Sequence, residues 1–377
     1  MNFNIILGEA LKRVKLNKIA YRNNIMVKSV NNSIKRNYIN NNIEARELLN
    51  KRNKKPLGKC YTKNILKEPI YDLKIIVPAY NVAHYIDECL KSILIQETRY
   101  KIKIVIINDG STDGTEEILH NYNKYKNIEI INQKNKGLSG ARNTALNNLD
   151  SKYIMFVDSD DKLEKNSIEL LMECALKNDS DIVEGSYFKF DNKNNILYKD
   201  IHEYKINLPA FNNIRSFAWG KVIKSSLFEN ICFPEGFWYE DTVFMYLIFP
   251  NCKKASTISE CVYLYRHNVK GITVSSRKND KCIDTYWILE SMIEEMEMLN
   301  IEKSQDIYEF TLWQIFFNFR RTRYMDINIQ KSIFLLSAQL VNSKFKNFKT
   351  IDYNKRELEI SLRKCNFNKY YLYCVLF

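Results

Sequence analysis

Between Leu73 and Asp161 the chain switches repeatedly between short apolar runs and longer segments with spaced apolar positions. "LKIIVPAY" (73–80), "KIKIVIIND" (101–109), "NIEIINQ" (127–133) and "YIMFVDSDD" (153–161) are compact apolar runs, the pattern of strands buried on both faces. Between them, "AHYIDECLKSILIQ" (83–96) turns Tyr85, Leu90, Ile93 and Leu94 inward as an amphipathic helix. "STDGTEEILHNYNKY" (111–125) opens with capping residues, and "SGARNTALNNL" (139–149) predicts a third helix. Strands separated by helices imply a parallel sheet with covering helices, in which ligands bind beyond the carboxyl ends of the strands. The polar clusters "PAYN", "NDGSTD" and "DSDD" each follow a predicted strand, at those ends.

Outside this block the pattern changes. Residues 1–70 are rich in Asn and Lys with patches of helical spacing: Phe3, Leu7, Leu11 and Val14, then Ile25, Val30 and Ile34. "KRNKKPLGK" (51–59) reads as a linker, because clustered like charge, Pro and Gly oppose regular structure. Beyond Lys162 a helix (167–178), a strand (181–190) and a helix opened by acids (240–250) are expected, and after residue 280 the pattern is helical. The division predicted is an N-terminal helical extension (1–70), an α/β domain (71–275) and a helical C-terminal region (276–377).

Composition adds limits. With 45% hydrophobic and 13% aromatic residues the chain holds a sizeable core and is not disordered. The formal charge of +13 points toward nucleic acid until its distribution is read. Met1 to Asp72 carries 16 Lys plus Arg against 5 Asp plus Glu, whereas the remaining residues carry 41 against 39. A confined excess suits either a solvated helical face or an arm touching an anionic surface, membrane or nucleic acid, and not a nucleic-acid-binding fold with basic and aromatic residues interleaved throughout. Nine scattered cysteines without a CxxC pair fit reduced thiols and no structural zinc. The first residues lack a signal-peptide apolar core, and no run reaches the roughly 18 apolar residues of a spanning helix. A cytoplasmic protein is expected, peripheral on the inner face of the plasma membrane if the N-terminal arm or C-terminal helix touches lipid.

The chemistry-bearing residues sit at the strand ends. Side chains two apart at a strand end point the same way, so Asp158 and Asp160, flanking Ser159, converge. Converging carboxylates repel unless a cation joins them, and a hard divalent ion suits oxygen donors. The same tripeptide also serves as a turn or helix cap, the reading given to Asp161. Asp109 either accepts from a nucleobase N–H or belongs to an ordinary strand-to-helix turn capped by Ser111, Thr112 or Asp113, and Gly137 and Gly140 open a helix whose N–H groups favour anions near Arg142.

Taken together, "IIVPAYN", "INDGSTDGT", "NKGLSGARN", "FVDSDD" and "YEDTVF" resemble, in order and spacing, the family 2 glycosyltransferases, over about residues 74–275. The resemblance implies a GT-A fold: a Rossmann-like mixed sheet with flanking helices, using a nucleotide-sugar donor, usually a UDP-sugar, and Mn²⁺ or Mg²⁺. It implies that Pro78, Ala79, Tyr80, Asp109 and Arg142 hold base and ribose, with Asp158, Ser159 and Arg266 contributing to the nucleotide site. Asp160, with Asp158 and His267, would bind the metal; Asp241 would be the general base and Glu240 its supporting acceptor contact. Trp219 and Lys221 resemble an acceptor-side block, and Lys270-Gly271 and Thr273 fall in a phosphate-covering loop that departs from the family pattern. The expected reaction is inverting transfer to a hydroxyl of a glycan or lipid-linked glycan, in bacterial surface polysaccharide or glycoconjugate synthesis, with homo-oligomer formation left open. A transferase to a lipid-phosphate carrier and a non-catalytic nucleotide- or nucleic-acid-binding protein are the alternatives. A sugar nucleotidylyltransferase is disfavoured, because "VPAYNVAHYID" lacks the Gly-rich loop with Arg and Lys that such an enzyme needs.

Overall fold

The structure, a computed structural model, describes residues 3–22, 39–268 and 279–377. Ile25, Val30 and Ile34 of the N-terminal pattern, and Lys270, Gly271 and Thr273 of the phosphate-loop expectation, lie outside the described residues. The chain divides into two compact units: Leu57–Gly271 with Glu294–Ile301, and Met1–Pro56 with Ile272–Ile293 and Glu302–Phe377.

The first of these units is built on one mixed sheet. In chain order its elements are β1 (Ile65–Ala79), α4 (Ile86–Leu94), β2 (Ile102–Asn108), α5 (Thr115–His120), β3 (Ile128–Asn132), α6 (Gly137–Leu146) and β4 (Asn148–Phe156). Then follow β5 (Lys162–Leu163), α7 (Ser167–Asn178), β6 (Ile182–Phe190), β7 (Ile196–Asp200), β8 (Lys205–Leu208), β9 (Lys221–Lys224), α8 (Phe249–Asn251) and β10 (Ala255–Arg266). The strand order is β3-β2-β1-β4-β9-β6-β10-β5, with β7 on β6 and β8 on β10. β1 pairs in parallel with β2 and β4, and β9 runs antiparallel to β4 and β6.

The apolar runs form the centre for the expected reason. Leu73, Ile75, Ile76 and Val77 of β1 and Ile104, Ile106 and Ile107 of β2 are wholly buried, because helices cover both faces. Burying each such side chain stabilises the fold by about 1.5–3 kcal/mol. On α4, Leu90 and Ile93 point into this core as the pattern predicts. Gly110 follows β2 at φ 75°, and a Cβ there would meet the Asn135 N–H at 3.0 Å. A side chain would strain the turn that carries Asp109.

Two differences from the pattern matter. β1 starts at Ile65, its first six residues exposed, because they pair with β4 at Asn148 and Leu149 without helix cover. The helix expected over 240–250 is instead a turn through Glu240–Val243, a π-helical segment Phe244–Ile248 and the short α8. The wider turn lets Phe244, Tyr246, Leu247 and Ile248 all be buried, beyond what one α-helical stripe offers.

The second unit is helical among its described residues: α1 (Phe3–Arg13), α2 (Asn17–Arg22), α3 (Asn42–Arg52), α9 (Asp284–Met298, which continues past this unit), α10 (Gln305–Thr322), α11 (Ile327–Lys344), α12 (Arg356–Arg363) and α13 (Phe367–Leu376). α3 packs on α11, while α1 and α2 pack on α13, whose Tyr370, Tyr371 and Leu372 are buried. α1 turns Ile5 and Gly8 inward, and Val14, in the turn just past it, is 61% exposed, so the predicted Val14 contact is not made. No helix among the described residues is long and apolar enough to cross a membrane.

Candidate active site

Three loops meet beyond the carboxyl ends of β1, β2 and β4. The loops after β1 and β2 are tied together: Asn81 Oδ1 accepts from Thr112 N–H at 2.8 Å, and the Val82 and Ala83 N–H groups donate to Thr115 Oγ1 and Asp113 Oδ2. Asp109 is 2% exposed, and its Oδ1 accepts from Gln133 Nε2 (2.6 Å) and the Lys136 N–H (2.9 Å). Its own N–H donates to the carbonyl of Ala79. Pro78 and Ala79 are buried in the strand end, and Tyr80 is 50% exposed beside them.

The electrostatic centre is Arg142, on α6 and 1% exposed. Its NH2 donates to Asp158 Oδ1 at 3.1 Å, and its NH1 to Glu240 Oε1 at 3.0 Å and Asp241 Oδ1 at 3.3 Å. The guanidinium also lies over the rings of Phe156 and Phe233, 5.7 and 5.0 Å from their centroids. Burial lowers its pKa, but the charges of Asp158, Asp241 and Glu240 outweigh burial and hold it above the ordinary arginine value. One guanidinium thus gathers three carboxylates from two loops far apart in sequence. Its Nε is buried without a hydrogen-bond partner, so the contact is made entirely through the two terminal nitrogens.

Three carboxylates for one cation leave negative charge in excess. Asp241 shows the consequence: burial first, then the charges of Glu240 and Asp158, push its pKa from 3.8 to about 7, while Arg142 and Lys221 pull the other way. Its side chain keeps 30% of its surface open, against 15% for Glu240 and 26% for Asp158. A partly open carboxylate with a pKa near neutrality is suited to taking a proton from an incoming group.

Beside this trio lies a second acidic group. Asp160 accepts from Asn268 Nδ2 at 3.0 Å, and burial, with Asp158 nearby, raises its pKa. Asp161 is 1% exposed and is no simple cap: its Oδ2 accepts from the Tyr263 hydroxyl (2.8 Å) and its Oδ1 from the Arg266 N–H (2.7 Å). Burial and the charges of Asp160 and Asp158 raise its pKa well above its ordinary value. Tyr263 also accepts from the Asp158 N–H at 3.1 Å, so one hydroxyl fixes both ends of the acidic turn. Ser159, between them, is buried.

Arg266, expected at the nucleotide, is 4% exposed and turned inward. Its Nε donates to the Asp160 carbonyl at 2.7 Å and its NH2 to Glu88 Oε2 at 2.5 Å, with the Phe190 ring 4.4 Å from its guanidinium carbon. Its observed work is to hold the acidic turn from behind. His267 is half-buried, its N–H donating to the Phe190 carbonyl. Among the described residues no three His, Cys, Asp or Glu side chains converge as a ready ligand set. Those two carboxylates still offer the hard oxygens a divalent cation takes, and such an ion commonly uses one or two carboxylates plus substrate phosphates.

The acceptor-side expectations separate. Lys221 is wholly buried, its Nζ 2.5 Å from Glu184 Oε1, and Glu184 also accepts from His202 Nε2 and Arg215. Lys221 is thereby a core ion-pair partner, and burial lowers its pKa. Trp219 lies in a ring stack and bridges through its backbone to Phe156 at the end of β4. Tyr263 and Asn268 are the site residues that sequence reasoning missed. The alternating aromatics of "VYLYRHN" (262–268) were the available signal, two residues apart on one strand face.

The match to known proteins agrees with this geometry. Residues 74–234 match the model of glycosyl transferase family 2. Glycosyltransferase GlyA of Streptococcus pneumoniae is 36% identical over 211 residues, covering 52% of this chain and 30% of GlyA. The uncharacterized glycosyltransferase EpsJ of Bacillus subtilis is 32% identical over 216 residues (53% and 62%). The cholesterol galactosyltransferase of Borreliella burgdorferi is 27% identical over 286 residues (70% and 79%). The chain thus spans less than two thirds of the length of GlyA and of EpsJ. Among solved structures, S. aureus TarS 1-349 in complex with UDP-GlcNAc superposes with TM-score 0.65 at 21% identity, covering 81% of this chain and 90% of that one. Residues 74–234 thus form a glycosyl transferase family 2 domain, carried on a mixed, helix-flanked sheet with a GT-A-type fold.

Proposed function

We propose that the protein transfers a sugar from a UDP-sugar to a hydroxyl of a glycan or glycoconjugate acceptor, with inversion at the anomeric carbon. The observation that carries this reading is Asp241, partly open beside Glu240 and Arg142, with a pKa of about 7. In the proposed step, Asp241 Oδ takes the acceptor hydroxyl proton as the oxygen bonds to the anomeric carbon. The bond from that carbon to the diphosphate oxygen breaks, and its electron pair leaves with UDP. Attack and departure on opposite faces give inversion in one displacement. A base matched to neutral pH contributes typically about 10²–10⁴-fold. Glu240 sustains the high pKa of Asp241 and offers an acceptor-side hydrogen-bond oxygen. Arg142 holds the trio in register.

Asp160 and Asp158 are the residues that would hold Mn²⁺ or Mg²⁺, which when bound supplies charge neutralisation at the diphosphate. Pro78, Ala79, Tyr80 and Asp109 would line the uridine side. The UDP-GlcNAc complex of the TarS neighbour and the galactosyltransferase relative support a nucleotide-sugar donor. We further place the N-terminal arm against an anionic membrane surface where lipid-linked acceptors reside. Ile6, Leu16 and Ile19 are exposed on or beside α1 and α2, among Lys15 and Lys18. Incubation with several UDP-sugars and Mn²⁺, with and without EDTA, tests the reading: UDP release with at least one donor, suppressed by EDTA, is expected. Absence of both UDP binding and UDP release would end it.

A further inference from the structure

The catalytic proposal leaves an unusual group of rings beside the acidic turn unused. Trp219 stacks nearly parallel on three neighbours: Phe217 (centroids 4.8 Å apart, 9° between planes), Tyr263 (4.6 Å, 14°) and Tyr265 (5.3 Å, 9°). Tyr187 meets both Phe217 and Trp219 edge-on, at 6.4 and 5.0 Å. Burial falls off steadily along the group. Tyr263 is fully buried and Trp219 is 7% exposed, while Phe217 is 37% exposed.

The inner end of the stack is anchored in the acidic turn, through the Tyr263 hydroxyl on Asp161 and the Asp158 N–H. The outer end stops at a ring that solvent reaches. Sheet order fixes which side of the acids this is. β4, which leads to Asp158, has β1 on one side and β9 on the other. Tyr80 and Asp109 follow β1 and β2 on the first side, whereas Trp219 bridges Phe156 at the β9 edge. The stack therefore flanks the acids on the side away from the nucleotide-binding expectation.

We propose that Phe217, backed by Trp219, is an acceptor subsite on which a pyranose ring stacks. This inference rests on the glycosyltransferase reading above and specifies the acceptor's chemistry. An aromatic face carries partial negative charge, and the C–H groups on one face of a pyranose carry partial positive charge, so the two attract while the sugar hydroxyls stay solvated. In the glycosyltransferase reading the nucleobase lies across β4, beside Tyr80 and Asp109. The open part of Phe217 is the face that a ligand can reach at this stack's outer end, while Trp219 and Tyr263 behind it are buried. Trp219 holds the Phe217 ring in one orientation, so little freedom is lost on binding.

The test uses the full chain and whichever UDP-sugar it turns over. UDP release is measured into water alone, with methyl pyranosides as probe acceptors, and with a long-chain alcohol as a non-carbohydrate probe. Expected are acceleration by at least one pyranoside, and a loss of about 2- to 12-fold in kcat/KM for that probe in F217A and F217L. F217W should restore it, and UDP release into water should stay unchanged in all three variants. F217L keeps apolar volume without a ring face, so its loss separates stacking from packing. Equal pyranoside kinetics in F217L and the parent protein would overturn the proposal, as would acceleration by the alcohol but by no pyranoside. No UDP release under any condition would instead strike the glycosyltransferase reading itself.

Discussion

Replacing Asp241 by Asn should make the protein inactive and, at neutral pH, more stable. The side chain keeps its size and its carbonyl oxygen, so the contact to Arg142 NH1, now 3.3 Å, survives. What disappears is one of three negative charges around a single guanidinium. Folding raises the Asp241 pKa from 3.8 to about 7, so its ionised form is disfavoured in the fold. At about 1.4 kcal/mol per pH unit the full shift corresponds to roughly 4 kcal/mol. The side chain is 30% exposed, so solvent screens part of that, leaving about 1–3 kcal/mol.

The sign follows from linkage. Below the ordinary carboxylate range both folded and unfolded chains are protonated at Asp241, and the group costs the fold nothing. Between about 4 and 7 the unfolded chain releases the proton and the folded one keeps it, so wild-type stability falls steadily. Above about 7 the cost is constant. The midpoint difference between D241N and wild type should therefore widen from about pH 4.5 to 7.5 and then level, reaching roughly 2–8 °C. Differential scanning fluorimetry across that range reads it, with UDP release measured on the same samples. A variant less stable than wild type above that range, or a gap that ignores pH, would refute the charge argument. Retained transfer would refute the base assignment separately.

Other outcomes follow from the same contacts. E240Q removes the neighbouring charge that helps raise Asp241, so the acid limb of kcat/KM should move below about pH 7, read from a pH–rate profile. R142M strands three partly buried carboxylates and should cost about 3–5 kcal/mol in denaturant unfolding. Y263F deletes the hydroxyl shared by Asp161 and the Asp158 N–H; a loss of about 1–3 kcal/mol is expected, with weaker retention of Mn²⁺ in equilibrium dialysis with UDP present. K221M should lower stability through Glu184 while leaving the KM for donor unchanged, since Lys221 is sealed in the core.

The sheet was legible because its signals are local. Apolar runs bounded by "PAYN", "NDGSTD" and "DSDD" mark strand ends whatever the rest of the chain does, and β1, β2, β3 and β4 fall on those runs. The N-terminal end of β1, and strands β7, β8 and β9, were not legible, because they are half-exposed or very short and take their order from partners far away in sequence. Side-chain partnership was the least legible. Nothing near Arg142 announces that its charge is committed to residues 240 and 241, and nothing near Asp161 announces a tyrosine 102 residues later. Arg266 reads as a free cation in sequence, yet the fold ties it to Glu88 and the Asp160 carbonyl.

These partnerships explain why acid concentrates in a chain that is basic overall. The basic excess lies within Met1–Asp72, and the cations paired at the acidic turn are others. Arg142 reaches across Asp158, Glu240 and Asp241, and Arg266 sits behind Asp160 and Asp161. A single positive group among three carboxylates is enough to hold the loops in place and too little to neutralise them. The uncancelled charge helps lift the Asp241 pKa toward neutrality, the property a general base needs. Adding a second cation near the trio would stabilise the fold and lower that pKa together, so structural stability and basicity are opposed at this one residue.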